Sequence, residues 1–156
     1  MSDLRQQLTL VLVTKDRHVL LGLKKTGFGS GRINALGGKI EPGESPLGCA
    51  LRELEEECGL KAKEATEVAR IFVDYDHTGK KVELHVFEVT DFRGEVHSTL
   101  EMDVDWTSID HVPYEKMWAN DIYWLPFVLN GKRIHASFHL SDDETVIDQK
   151  IEEWKV

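Results

Sequence analysis

The sequence predicts a mixed α/β sandwich. Three observations carry this: short β-rich segments recur along the chain, an amphipathic helix with clear start and stop signals follows a glycine-dense loop, and a second, apolar helical stretch lies between later strands. With 156 residues the chain is the size of one ordinary domain and reads as a single unit over 1–156. No repeat, low-complexity tract or linker interrupts it, and the four prolines are scattered.

Residues 8–14 and 17–24 read as two strands joined at Lys15-Asp16. Between 27 and 43, Gly27, Gly29, Gly31, Gly37, Gly38 and Gly43 make up half of the chain's 12 glycines, marking a loop where backbone approaches something closely. A helix follows, with Ser45 as N-cap, Pro46 in its first turn and Gly59 ending it after Cys58. Segments 66–76 and 81–90 read as strands around the polar turn 77–80. A short strand at 104–109, an apolar helix at 120–131 bent near Pro126, and a strand at 133–140 complete the pattern. The acidic tail, Asp142-Asp143-Glu144 and Glu152-Glu153, reads as solvated surface.

Composition excludes several classes of function. Lys and Arg number 19 against 28 Asp and Glu, a formal charge of −9, which argues against stable binding of nucleic acid through its phosphates. The apolar share of 41% is enough for a packed core, but the greasiest run, Leu10-Val11-Leu12-Val13, is far too short to span a membrane. The polar start Ser2–Gln7 has no signal-peptide core, so no membrane partner and a cytoplasmic location are expected, with an organellar or nuclear pool left open. Cys49 and Cys58 lie nine apart in one helix, cannot meet as a disulfide, and read as small core residues. The seven histidines show no ligand spacing with them, so zinc is not expected.

The chemistry concentrates in that helix. At about 100° per residue, Leu47, Leu51, Leu54 and Cys58 share an apolar stripe while Glu53, Glu56 and Glu57 gather on another face. Like charges so spaced cost a few tenths of a kcal/mol per pair. A solvated acidic face is the ordinary explanation for such a helix; a divalent cation preferring oxygen, Mg²⁺ or Mn²⁺, is the functional one. Such ions would bridge a di- or triphosphate and activate a water for in-line attack on phosphorus. Arg52 stands beside the cluster, able to orient a carboxylate through two hydrogen bonds.

The segment Gly38, five residues, Glu44, seven residues, Arg52-Glu53-Leu54-Glu55-Glu56-Glu57-Cys58-Gly59-Leu60 resembles the Nudix box at every fixed position, with Leu54 and Leu60 at its two apolar sites. The resemblance implies an α/β/α sandwich around a mixed central sheet, a loop–helix–loop box that holds metal, and hydrolysis of nucleoside diphosphates linked to another group. Outside the box, LTLVLV at 8–13, VLLGLKKTGFGSGRINALGGK at 19–39, HVF at 85–87 and MWANDIYWLPFVL at 117–129 are similar to the animal oxidised-purine nucleoside triphosphatases of the MutT-homologue branch.

By that resemblance Glu53, Glu56, Glu57 and the Gly37 carbonyl would bind Mg²⁺, which Mn²⁺ could replace, and Glu101 would join them. Glu57 or Glu53 would serve as general base, with Arg52 in the catalytic set. Thr9, Lys24, Phe28, Asn34, Trp118 and Asp121 would form a purine site, with Gly37, Gly38, Lys39 and Asn120 also binding substrate. Taken singly, each of these has a plain structural explanation as a strand, core or turn residue. The implied reaction is hydrolysis of oxidised or otherwise modified purine nucleoside triphosphates such as 8-oxo-dGTP to monophosphate and pyrophosphate, by a monomer acting on a small molecule. The alternatives are another nucleotide derivative, such as a methylated purine triphosphate, or a silent nucleotide-binding module.

The chain departs from the branch in places. Asn120 stands where the first of two successive aspartates is usual, Ile33 replaces a Trp, and Val73, Tyr75 and Val82 alter the apolar lining. A carboxyl pair can exchange a proton and present either a donor or an acceptor, whereas an amide presents one of each. A narrower or reordered preference among oxidised purines is therefore expected.

Overall fold

The computed structural model describes residues 5–27, 30–100 and 102–154, so the expected site residues Phe28 and Glu101 lie outside the described residues. The central strand is β1, Gln6–Lys15. Leu10 and Leu12 point into one core while Val11 and Val13 point into the other, so the strand reads as a continuous apolar run. Asp16 and Arg17, both at positive φ (50° and 59°), make the two-residue turn into β2, His18–Lys24. Two short strands cut from the glycine-rich region follow: β3, Ile33–Asn34, pairs with β2, and β4, Leu36–Lys39, pairs antiparallel with β1. The latter register sets Gly37 and Gly38 opposite Leu10 and Thr9.

The first helix, α1, spans Pro46–Cys58 with the ends expected from sequence. Ser45 Oγ accepts the Gly48 N–H at 2.9 Å, and Gly59, at φ 85°, donates its N–H to the Glu55 carbonyl. Its buried face differs from the expected stripe: Cys49, Ala50, Leu54 and Cys58 are buried and Leu47 is 38% exposed. Small side chains at 49 and 50 let the helix settle against β1 and β4, with Cys49 Sγ 3.3 Å from Thr9 Oγ1, and this close approach rotates Leu47 outward. Burying Leu54 stabilises by roughly 1.5–3 kcal/mol. That exceeds the mutual repulsion of the three glutamates, so the helix tolerates them.

Thr66–Tyr75 forms β5 and Lys81–Val89 forms β6, an antiparallel hairpin in which β6 runs parallel to β1. Met102–Ser108, β7, pairs with β2. The second helix, α2, spans Asp121–Leu129 and continues through Pro126 without ending there, its anchors Trp124, Leu125 and Val128 all buried. β8, Ile134–Leu140, lies parallel to β5.

One further strand, β9 (Val146–Glu153), pairs antiparallel with β8 in a stretch that showed no strand signal in sequence. It is an edge strand with both faces largely wet, so it carries no apolar alternation. The tail reading needs correction at one position. Asp142, Asp143, Glu152 and Glu153 are exposed, but Glu144 is half-buried and ion-paired to Arg32.

The sheet runs β3-β2-β1-β6-β5-β8-β9, with β4 also on β1 and β7 also on β2. Helix α1 covers the core holding Val11, Val13, Leu36 and Phe87, and α2 covers the opposite core holding Leu12, Ile71, Ile134 and Phe138. The result is the expected α/β sandwich around a mixed sheet. Both cysteines are buried and free. Among the described residues no helix is long and apolar enough to cross a membrane.

Candidate active site

Helix α1 presents its acidic face to the β4 turn. Glu57 Oε1 accepts the Gly37 N–H at 2.6 Å, which ties the last turn of the helix to β4. Glu53 lies one turn earlier against Gly38, so closely that a Cβ on Gly38 would fall 2.6–2.8 Å from its carboxylate atoms. Arg52 organises the neighbouring acids. Nε and Nη2 bind Glu44 at 2.7 and 3.0 Å, and Nη1 reaches Glu53 at 2.8 Å and Glu56 at 3.1 Å. The Arg52 hydrogen bonds hold the Glu44 carboxyl down at about 2, and Glu44 in turn raises the guanidinium. Burial pushes the Glu53 carboxyl up, against the pull of Arg52.

Beside this face opens a cavity of ≈ 610 Å³. Thr9, Lys24, Asn34, Gly37, Gly38, Lys39, Glu57, Trp118, Asn120 and Asp121 all line it, so ten of the expected residues meet at one opening. Arg52, Glu53 and Glu56 do not line it; they stand behind Glu57 and Gly38. Val73, Tyr75 and Val82 are on the wall as expected, while Ile33 is packed against the core. Several expected side chains already have protein partners. Thr9 Oγ1 donates to the Gly38 carbonyl at 3.3 Å, and Asn34 Oδ1 accepts the Ala35 N–H at 2.8 Å.

Asn120, at the N-cap position, and Asp121, the first residue of α2, enter the wall together. Asp121 is 4% exposed; its Oδ2 accepts the Trp118 N–H at 3.0 Å and its Oδ1 the Trp124 indole N–H at 3.1 Å. Burial pushes this carboxyl up to about 6, even with those donors and Arg32 opposing. Asn120 is buried and its amide does not cap the helix.

The donor set suits a hard divalent cation, because Glu53, Glu56 and Glu57 offer oxygen alone and Gly38 keeps the space before Glu53 open. The three are not gathered as a ready-made cluster, however: among the described residues no group of three acidic, His or Cys side chains stands close enough to hold a metal. Glu53 and Glu56 turn to Arg52 and Glu57 turns to Gly37, each carboxylate taking the nearest protein donor.

Comparison with known proteins settles the family. The NUDIX domain model matches residues 4–128. The chain belongs to the Nudix hydrolase family. This Nudix hydrolase is 37% identical over 146 residues to the oxidized purine nucleoside triphosphate hydrolase of Danio rerio, covering 94% of each chain. It is 35% identical over 145 residues to the protein of the same name from Mus musculus, covering 93% of each. Among solved structures, the mutator MutT protein from Bacillus halodurans superposes with a TM-score of 0.83 at 29% identity, over 94% of this chain and 97% of that one.

Sequence reasoning missed Arg32, Lys80 and Gln6 on the wall of the Nudix cavity. Arg32 lies with its guanidinium carbon 4.0 Å from the centroid of the Trp118 ring. Nothing in the local sequence distinguishes it from a solvated arginine in a glycine-rich loop. Its partners lie 85 and 112 residues away.

Proposed function

We propose that this Nudix hydrolase cleaves oxidised or otherwise modified purine nucleoside triphosphates, 8-oxo-dGTP among them, into the monophosphate and pyrophosphate. One observation carries the reading: a single cavity joins Glu57 and the Gly37–Lys39 backbone to Trp118, Asn120 and Asp121. A phosphate-handling acidic helix and a base-sized polar and aromatic wall thus share one space. The named relatives from Danio rerio and Mus musculus point the same way. In this reading the chain acts as one domain over 1–156, as a cytoplasmic monomer on a small-molecule substrate, and clears damaged nucleotides before a polymerase uses them.

Glu53, Glu56 and Glu57, with the Gly37 carbonyl, would hold Mg²⁺, or Mn²⁺ in its place. When bound, the cation neutralises phosphate charge and makes water more acidic. The side chains supply the rest. Glu57, oriented by the Gly37 N–H on Oε1, would serve as the general base for the attacking water. The water oxygen bonds to a phosphorus of the triphosphate as the P–O bond bridging the α- and β-phosphates breaks, and the electron pair goes to the bridging oxygen of the departing fragment, so monophosphate and pyrophosphate are the products. Lys24 and Lys39, both on the cavity wall, offset negative charge on the phosphates. Arg52 acts through Glu53 and Glu56 and so is a positioning residue.

The test is pyrophosphate release with Mg²⁺ from 8-oxo-dGTP, 2-oxo-dATP, O6-methyl-dGTP, dGTP and dATP, for the intact chain and Glu57→Gln. A large kcat/KM advantage for a modified purine, lost in the variant and on chelation of the metal, supports the reading. Uniformly poor turnover of all five overturns it.

A further inference from the structure

We propose that Arg32, anchored by Glu144, is a specificity-determining positioning residue of the nucleotide cavity: it sets the plane of the Trp118 ring on which a purine stacks. The inference rests on the purine reading above. Arg32 joins three segments distant in sequence. Its guanidinium lies 4.0 Å from the Trp118 ring centroid, Nη1 donates to the Met117 carbonyl at 3.3 Å, and Nη2 binds Glu144 Oε2 at 2.6 Å. A planar guanidinium suits this task because it can stack on an indole and hold a carboxylate in its own plane at once.

Glu144 is held where ordinary stability would not place it. It sits in the turn between β8 and β9 at φ 68°, a conformation that side-chain-bearing residues rarely adopt. The turn is closed by Glu144 N–H to the Ser141 carbonyl at 2.8 Å and Ser141 N–H to the Thr145 carbonyl at 2.9 Å. Its second oxygen, Oε1, is buried with no hydrogen-bond partner. A carboxylate oxygen buried without a hydrogen-bond partner is an unfavourable feature on stability grounds alone. Its evident effect is to fix where Arg32 points.

The consequence falls on the base. The Trp118 backbone is held by Asp121 Oδ2 and its ring by Arg32, so the angle between the stacked base and the Asn120–Asp121 edge is set from outside the catalytic face. The ring face that Arg32 covers is closed to a base. Arg32 makes no contact with Glu53, Glu56 or Glu57 among its hydrogen bonds, so its effect belongs in KM.

The experiment uses the full chain with Mg²⁺, 8-oxo-dGTP as substrate, and the variants Arg32→Ala, Arg32→Lys, Glu144→Gln and the double variant Arg32→Ala/Glu144→Gln. We expect KM to rise about tenfold in Arg32→Ala with kcat within about twofold, since only stacking and its orientation are lost. Arg32→Lys should not restore KM, and Glu144→Gln should raise it about threefold but add nothing in the double variant. If lysine does restore KM, Arg32 acts as a bare charge and the proposal falls. It also falls if KM is unchanged, or if kcat falls instead.

Near-ultraviolet circular dichroism, with the Trp118 signal isolated by difference from Trp118→Phe, provides a readout independent of turnover. That signal should weaken in Arg32→Ala and Glu144→Gln at unchanged Tm; a signal the same as in the parent chain overturns the positioning role. If the parent chain hydrolyses no modified purine, the purine reading fails, and the dichroism still decides whether Arg32 orders Trp118. Glu144→Gln, nearly isosteric, carries the test should Arg32→Ala fail to fold.

Discussion

The backbone N–H of Gly37 donates to Glu57 Oε1 across 2.6 Å, so one hydrogen bond couples β4 to the last turn of α1. The bond holds Glu57 at the cavity wall it shares with Gly37 and Gly38. Glu57→Gln retains an acceptor for that N–H but loses the charge. Its kcat should fall by about 10²- to 10⁴-fold, the usual contribution of a positioned base. Its Tm should hold, because the repulsion from Glu53 and Glu56 falls as well. A kcat near the parent value would remove Glu57 from the role of base.

Adjacent glycines should respond in opposite ways. Gly37 is at φ 149° and a Cβ there would overlap the Thr9 carbonyl, which is backbone in the central strand and cannot yield. Gly37→Ala should therefore cost about 3 kcal/mol or more of stability. A Cβ on Gly38 would instead meet the tip of the Glu53 side chain, which can swing away. Gly38→Ala should cost about 1 kcal/mol or less while lowering kcat at least tenfold through displaced Glu53. Denaturant unfolding and turnover, measured on both variants, separate the two effects.

The buried Asp121 carboxyl should mark the pH dependence of stability. Its pKa rises from the ordinary 3.8 to about 6 on folding, so the folded chain binds this proton more tightly than the unfolded one. Its contribution is fully present below about pH 4 and is lost as pH rises through about 6, because a charged carboxylate must then stay buried. Asp121→Asn removes the titration and leaves one of the two indole and backbone donors poorly matched, a cost that does not vary with pH. From pH 4 to pH 7 the Tm of the variant should therefore gain on that of the parent chain. Parallel Tm profiles would show that Asp121 titrates normally.

Asn120 should restrict the choice of base. A buried amide on the cavity wall presents one donor group and one acceptor in fixed positions. Beside it Asp121 can change protonation, but the pair cannot exchange a proton as two carboxyls would. The parent chain should discriminate between 8-oxo-dGTP and 2-oxo-dATP, and Asn120→Asp should narrow the ratio of their kcat/KM values. Equal rates in the parent chain would overturn this.

Much of the site could be read from sequence because its signals are local. Ser45, Pro46 and Gly59 delimit α1 through backbone groups within a few residues of each, and helical spacing alone places Glu53, Glu56 and Glu57 on one face. The buried stripe of that helix was less legible. Whether Leu47 or Cys49 faces inward depends on how closely Thr9 and β4 approach, which helical angles do not contain. β9 escaped notice for a related reason: a wet edge strand is specified by its ladder to β8 and has no burial pattern of its own.

The sequence by itself determined the α/β class, the Nudix box, the boundaries of α1 and most of the residues that meet at the cavity. These follow from short-range rules: caps, turns, and the periods of helix and strand. Only the tertiary structure decided which carboxylate faces the cavity, that Arg52 stands behind it, and that Arg32 lies over Trp118 under the hold of Glu144. Those relationships join residues up to 112 positions apart, and pairing at that range is set by how the sheet and both helices pack together.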